Sequence, residues 1–251
     1  MCVLRSAGIT LATIALVWAA TAPSAAAGAP ASWPERVAAA ERYAQARQGT
    51  VSFAVIDESG HLYGRGLSVR SPSMSLLKVM LMAAYLRRPS IAGRPLTRAD
   101  RKLLTPMIRW SDNVTAERVL AFVGRAGLEA VARDAGMRHF AYRRSPWGLS
   151  TTTAADQVRL WANLDRVVPA RHLGFALRLL GNVVPSQRWG IPAAAPPGWR
   201  VFFKGGWGSG TGRLAGQSAL LERDGSRIVM SVLAQHSPNH DYGTTTVRGV
   251  A

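Results

Sequence analysis

Ser75-Leu76-Leu77-Lys78 heads the apolar run Leu76 to Leu86. The spacing predicts a helix start in which the hydroxyl of Ser75 and the amine of Lys78, three residues apart, share one face. A hydroxyl beside an amine is a nucleophile beside a base, provided that the amine can shed its proton. Leu77, Val79 and Met80 supply apolar surroundings that favour its neutral form. Ser-x-x-Lys alone recurs by chance on many helices, so the tetrad needs context. Composition supplies the first piece. Of the 31 Lys+Arg residues only Lys78, Lys102 and Lys204 are lysine, and arginine does not release its proton and cannot serve as a base. The second piece is Ser111-Asp112-Asn113, set between two predicted helices, where such a triplet also suits a helix cap. The third is Phe203-Lys204-Gly205-Gly206-Trp207, a strand end whose glycines either admit a close backbone or ligand or mark a bend.

The elements that must bring these stretches together follow from the pattern along the chain. Trp33 to Gln48 reads as an amphipathic helix with Pro34 in its first turn. Val51 to Ile56 reads as a mostly buried strand, Asp57 to Gly60 as a turn and His61 to Arg65 as the hairpin mate. From Ser75 to about Leu180 the pattern is helical throughout, with helices at Ser75 to Leu86, Thr97 to Trp110, Thr115 to Val123, Gly127 to Ala135, Thr153 to Leu164 and His172 to Leu180. Strands return after Pro196-Pro197-Gly198, at Arg200 to Phe203, Gln217 to Glu222 and Arg227 to Ala234, the last two joined by Asp224-Gly225. The expected class is α+β: one antiparallel sheet built from both chain ends (33–72 and 196–251), flanked by helices, with an all-helical lobe (73–195) inserted. A cleft between such lobes is the usual place for a small-molecule site.

Residues 1–27 read as a secretory signal, with Arg5 as the charged start, Ile9 to Ala20 as a short apolar centre and Ser24 to Ala27 as the cleavage zone. The centre is too short to span a bilayer. A secreted, periplasmic or wall-associated protein is expected, without a membrane span once the signal is removed. Cys2, the only cysteine, leaves with the signal, so no disulfide or thiol chemistry remains. The net charge of +17 favours anionic partners such as cell-wall polymers. The arginines are scattered without a nucleic-acid-binding motif, and nucleic acid is not an expected partner. The five histidines contain no His-Glu-x-x-His or comparable ligand cluster, so no metal and no cofactor is expected. A monomer is expected.

In this order the three motifs resemble those of the serine β-lactamase and penicillin-binding-protein superfamily, Ser-x-x-Lys, Ser-Asp-Asn and Lys-Thr-Gly. The chain is most similar to the class A β-lactamases. Thr105 to Ala116 looks like that family's helix running into Ser-Asp-Asn, Gly127 to Met137 fits the helix that follows, Leu149 to Ala155 resembles the threonine-rich entry to the next, and Gly243-Thr244-Thr245 the entry to a terminal helix. The resemblance implies that Ser75 attacks a carbonyl and is acylated while Lys78 takes its proton, and that Ser111 relays a proton to the departing nitrogen. It further implies that Asn113 holds substrate and that Lys204 depresses the basicity of Lys78 and attracts a carboxylate. Gly206 and Trp207 belong to the same turn and are expected to bind substrate, the backbone N–H groups of Ser75 and Trp207 forming the oxyanion hole. Asp112 is expected to be a structural hydrogen bonder.

Three departures qualify the expected activity. Class A enzymes deacylate with water activated by a glutamate in a Glu-x-x-Leu-Asn motif, whereas Met137 to Leu149 here contains no Glu, Asp or Asn. The nearest acid, Asp156, sits where it suits a helix dipole, and His139 is a conceivable substitute base, though a packing histidine is the commoner case. Gly205 replaces the hydroxyl residue of the third motif. The segment between Lys78 and Ser111 is also short. The expected function is therefore a serine hydrolase that acylates Ser75 with a β-lactam or related amide or ester and deacylates slowly. The alternatives are a D-alanyl-D-alanine peptidase-like enzyme taking a peptidoglycan-like peptide, and a cationic binding protein without turnover.

Overall fold

The computed structural model describes residues 31–208 and 213–251; the expected signal at 1–27 lies outside the described residues. The strands, in chain order, are β1 (Thr50–Ile56), β2 (Leu62–Arg65), β3 (Ser71–Pro72), β4 (Thr151–Thr152), β5 (Arg200–Trp207), β6 (Leu214–Arg223) and β7 (Ser226–Gln235). The helices are α1 (Trp33–Gln45), α2 (Leu77–Leu86), α3 (Pro89–Ala92), α4 (Arg98–Arg109), α5 (Asn113–Asp134), α6 (Ala154–Ala162), α7 (Leu164–Val167), α8 (Ala170–Gly181), α9 (Ile191–Ala194) and α10 (His240–Val250). Five strands form one antiparallel sheet in the order β2-β1-β7-β6-β5. The expected α+β architecture, with a sheet drawn from both ends of the chain, is what the fold shows.

Alternation along the strands divides the apolar side chains between two clusters. Phe53, Val55, Phe203, Leu221 and Val232 join Val247 and Val250 of α10 on one face. Ala54, Leu220, Val229 and Leu233 turn towards α6 and the helical region on the other. With both faces covered, β6 and β7 are buried along most of their length and do not alternate in polarity. Their connection is Asp224-Gly225, with φ of 49° and 83°. Two consecutive positive φ values match the twist of a tight hairpin and favour Asp-Gly at that point.

The helical region is built around α2, every residue of which is buried. A helix apolar on all sides is stable only when surrounded, and α3, α4, α5 and α7 surround it. Its N-terminal end, with Ser75 and Lys78, is thereby fixed where the helical region meets the end of β5.

Several expectations are corrected. Ser75 lies in a 3-10 turn (Met74–Leu76) ahead of α2. The two helices expected at 115–123 and 127–135 are one element, α5, broken in direction at Gly124 by φ 59° and ψ −174°. The stretch read as helical throughout is interrupted by β4, which pairs with β3 through Ser71 and Thr152; strands of two residues are too short for any periodicity to reveal. β5 continues past Phe203 to Trp207, because Lys204 to Trp207 pair with Ser218 to Ala215 of β6. Among the described residues no helix is long and apolar enough to cross a membrane.

Candidate active site

Two non-glycine residues with left-handed backbone flank the chemistry. Met74 (φ 49°) immediately precedes Ser75, and Ser111 (φ 61°) joins α4 to α5. Such conformations cost on the order of 1–3 kcal/mol and are concentrated where surrounding structure holds a functional group in place. At Ser111 the restraints are explicit. Pro106 O accepts from both Trp110 N and Asp112 N, and Gln187 Nε2 donates to Trp110 O at 3.1 Å. Asp112 caps α5 by accepting from Thr115 N and Thr115 Oγ1, each at 2.7 Å. Asp112 thus acts as a structural hydrogen bonder.

The amine of Lys78 is fully buried and lies amid four acceptors. Nζ is 2.5 Å from Ser111 O, 2.7 Å from Asn113 Oδ1, 3.0 Å from Ser75 Oγ and 3.1 Å from Ser111 Oγ. The two nearest atoms can only accept, so they take two N–H bonds. The remaining position on nitrogen faces the hydroxyls: an N–H in the ammonium, a lone pair in the amine. In the neutral form that lone pair can receive the Ser75 proton. Burial drives Lys78 in that direction, down to about 8, against the opposing charge of Asp112. Ser75 itself is only half-buried and can be reached from outside.

Lys204, also fully buried, donates to Gly205 O at 2.7 Å and to Ser111 Oγ at 3.1 Å. Ser75, Lys78, Ser111 and Lys204 are therefore one hydrogen-bonded run. Lys204 is pushed well below the usual lysine range, by burial first and then by the charge of Lys78. Burial is likewise what lowers Lys78.

Gly206 explains how β5 approaches the nucleophile. A Cβ at this position would stand 2.9 Å from Met74 Cβ and 3.0 Å from Ser75 N, so only glycine lets the strand pack on the turn. The next residue, Trp207, turns its side chain away, edge-on to His240 at 6.2 Å between ring centres, and leaves its backbone beside the turn. Asn113 is exposed, with Oδ1 committed to Lys78. A side chain at Gly205 would extend towards Trp189 and Gln217 on the opposite face.

The loop before β4 carries no acid towards the site. Asp156 is fully buried and accepts from Arg138 N at 2.7 Å and His139 N at 3.0 Å, which ties the loop down. The His139 ring, about one-third exposed, lies 3.9 Å from that carboxylate. Sequence reasoning overlooked Trp147, whose ring centre lies 5.3 Å from Lys78 Nζ. A large aromatic residue in the loop before the threonine-rich stretch was the available signal.

The chain matches the Beta-lactamase enzyme family over residues 96–251. Among solved structures it is similar to a β-lactamase from Sphaerobacter thermophilus, at 21% identity and a TM-score of 0.76 over 86% of this chain and 94% of that one. A β-lactamase from Xanthomonas campestris superposes with a TM-score of 0.76 at 18% identity, over 86% of this chain and 95% of that one. A structure described as PBP-A gives 0.73 at 16% identity, over 87% and 93%. A search of curated proteins found no match. The matched residues include Ser111-Asp112-Asn113 and Lys204, and the fold is that of the class A β-lactamases; the chain belongs to the β-lactamase enzyme family.

Proposed function

We propose that the protein is an exported serine hydrolase that forms an acyl-enzyme on Ser75 with a β-lactam or a related amide or ester and releases it slowly. The single observation that carries this reading is the hydrogen-bonded run of Ser75, Lys78, Ser111 and Lys204. Ser75 Oγ bonds to the substrate carbonyl carbon as its proton passes to the Lys78 amine. The C–N bond then breaks, and the proton held by Lys78 reaches the departing nitrogen through Ser111 Oγ. The N–H groups of Ser75 and Trp207 would receive the developing oxyanion, and Asn113 and Lys204 would hold the substrate's polar groups. Slow release follows from the loop 137–149, which offers no carboxylate for general-base catalysis. The absence of a positioned base costs on the order of 10²- to 10⁴-fold in that step.

A second reading, a D-alanyl-D-alanine peptidase-like enzyme at the cell wall, is favoured by the same carboxylate-free loop. Intact-mass measurement after incubation with a penicillin tests both. A long-lived adduct on the native chain and none on Ser75→Ala is expected. No adduct on either, with saturable penicillin binding, would leave a binding protein. Rapid hydrolysis without an accumulating adduct would show that another residue activates water. Cleavage of a D-alanyl-D-alanine peptide separates the peptidase from the lactam hydrolase.

A further inference from the structure

Beyond its hydrogen-bonded partners, the Lys78 amine is flanked by the Trp147 ring, 5.3 Å from ring centre to Nζ. The ring is not carried on a loose loop. It sits in a 3-10 turn (Trp147–Leu149) whose closing residue, the buried Ser150, donates to Trp147 O from Oγ at 2.7 Å and from N at 3.0 Å. Ser150 O in turn accepts from Ser73 N at 2.6 Å, two residues before the nucleophile. A Cβ on Gly148 would come 3.8 Å from Met74 Cα, so this turn rests directly on the turn that bears Ser75. An aromatic face attracts an ammonium group, but it cannot accept a water proton as a base, and the indole N–H only donates.

We propose that Trp147 sets the lifetime of the acyl-enzyme by covering the Lys78 amine. The ring favours the ammonium that forms when Ser75 gives up its proton, and it occupies the approach by which water would reach that amine. Release of the acyl group requires water oxygen to bond to the ester carbonyl carbon while the water proton passes to a base. The bond from that carbon to Ser75 Oγ then breaks, and Oγ takes the proton back. With residues 137–149 free of carboxylates, Lys78 is the base at hand, and Trp147 denies it the water. This inference rests on Ser75 being acylated.

The test uses a fluorescent penicillin on the native chain, Trp147→Ala, Trp147→Phe and Ser150→Ala, with adduct loss followed by intact mass after a chase. In parallel, acetic anhydride labelling of Lys78, located by peptide mass, reports access to the amine without any need for acylation. Trp147→Ala is expected to shorten the adduct half-life about tenfold or more, the scale of a general-base contribution, and to label Lys78 faster. Trp147→Phe keeps the slow release. Ser150→Ala, which frees the turn but retains the ring, lies between. An adduct as long-lived in Trp147→Ala and Ser150→Ala as in the native chain overturns the proposal, as does Lys78 labelling that does not rise in Trp147→Ala. A native chain that forms no adduct defeats the proposed function instead, and Lys78 labelling still decides whether the ring covers the amine.

Discussion

Replacing Gly206 by alanine attacks the site at its tightest joint. The added Cβ would lie 2.9 Å from Met74 Cβ, 3.0 Å from Ser75 N and 3.4 Å from Leu76 N. Ordinary contacts between carbons are about 3.5–4.0 Å, so β5 and the nucleophile turn must separate by roughly 0.5–1 Å. None of the three atoms is the far end of a flexible side chain, and Met74 is already held at φ 49°. Overpacking of this kind costs about 1–3 kcal/mol, which for a domain of this size lowers the unfolding midpoint by about 2–12 °C. The chemical penalty is larger, since a displacement near 1 Å at reacting groups costs on the order of 10²-fold in rate. Timed quenching with a fluorescent penicillin gives the second-order rate of Ser75 acylation, and Gly206→Ala is expected to be about a hundredfold slow. Gly205→Ala is the control. Its Cβ meets Trp189 Cζ2 at 3.4 Å and the Gln217 side chain at 3.6 Å, atoms that can yield, so its rate should stay within about threefold of native. Equal rates and midpoints for Gly206→Ala and the native chain would refute the packing of the strand on the turn.

Two further predictions concern the scaffold. Asp100 is buried, and it accepts from Tyr85 Oη, from Arg94 through both terminal nitrogens, and from Thr97 N and Oγ1. Burial acts to raise its carboxyl, but the bonds from Arg94, Thr97 and Tyr85 outweigh it and hold the group well below the ordinary carboxylate range. A depressed carboxylate contributes stability that is present above its unfolded value, about 3.9, and is lost as pH falls through the folded one. Urea titrations of Asp100→Asn should show a loss of about 2–4 kcal/mol at pH 7 and a smaller difference from the native chain at pH 2–3; an unchanged difference would contradict the sign. Asp156→Ala leaves Arg138 N and His139 N without their buried acceptor. It should lower stability by about 2–4 kcal/mol and expose the loop to limited proteolysis between residues 138 and 149, whereas native-like resistance would show that another contact ties the loop down.

How far the sequence reached depended on the length of each signal. The all-apolar run of α2, the Asp-Gly hairpin of β6 and β7 and the cap at Asp112 are local and strong; they placed Lys78 on its helix and Ser111 at the junction of two helices, whereas Ser75 lies in the 3-10 turn ahead of α2. Lys204 was recognisable because lysine is rare in this chain, although its neighbours across β6 were beyond local reading. The left-handed Met74 and Ser111 carry no compositional mark, since neither is glycine or asparagine and tertiary packing imposes the conformation. The lowering of Lys78 by burial was anticipated from its apolar neighbours. Trp147 acts on Lys78 across 69 positions of chain, and no periodicity reports such a contact.

The most direct test of the central claim, a nucleophilic Ser75 served by a neutral Lys78, is the pH dependence of the acylation rate. With the Lys78 amine held down to about 8 and required in its neutral form, the rate should rise about tenfold per pH unit below that value and level off above it. Lys78→Arg, whose guanidinium keeps its proton, should lose the reaction across the range. A rate independent of pH between 6 and 9, or acylation retained in Lys78→Arg, would contradict the account.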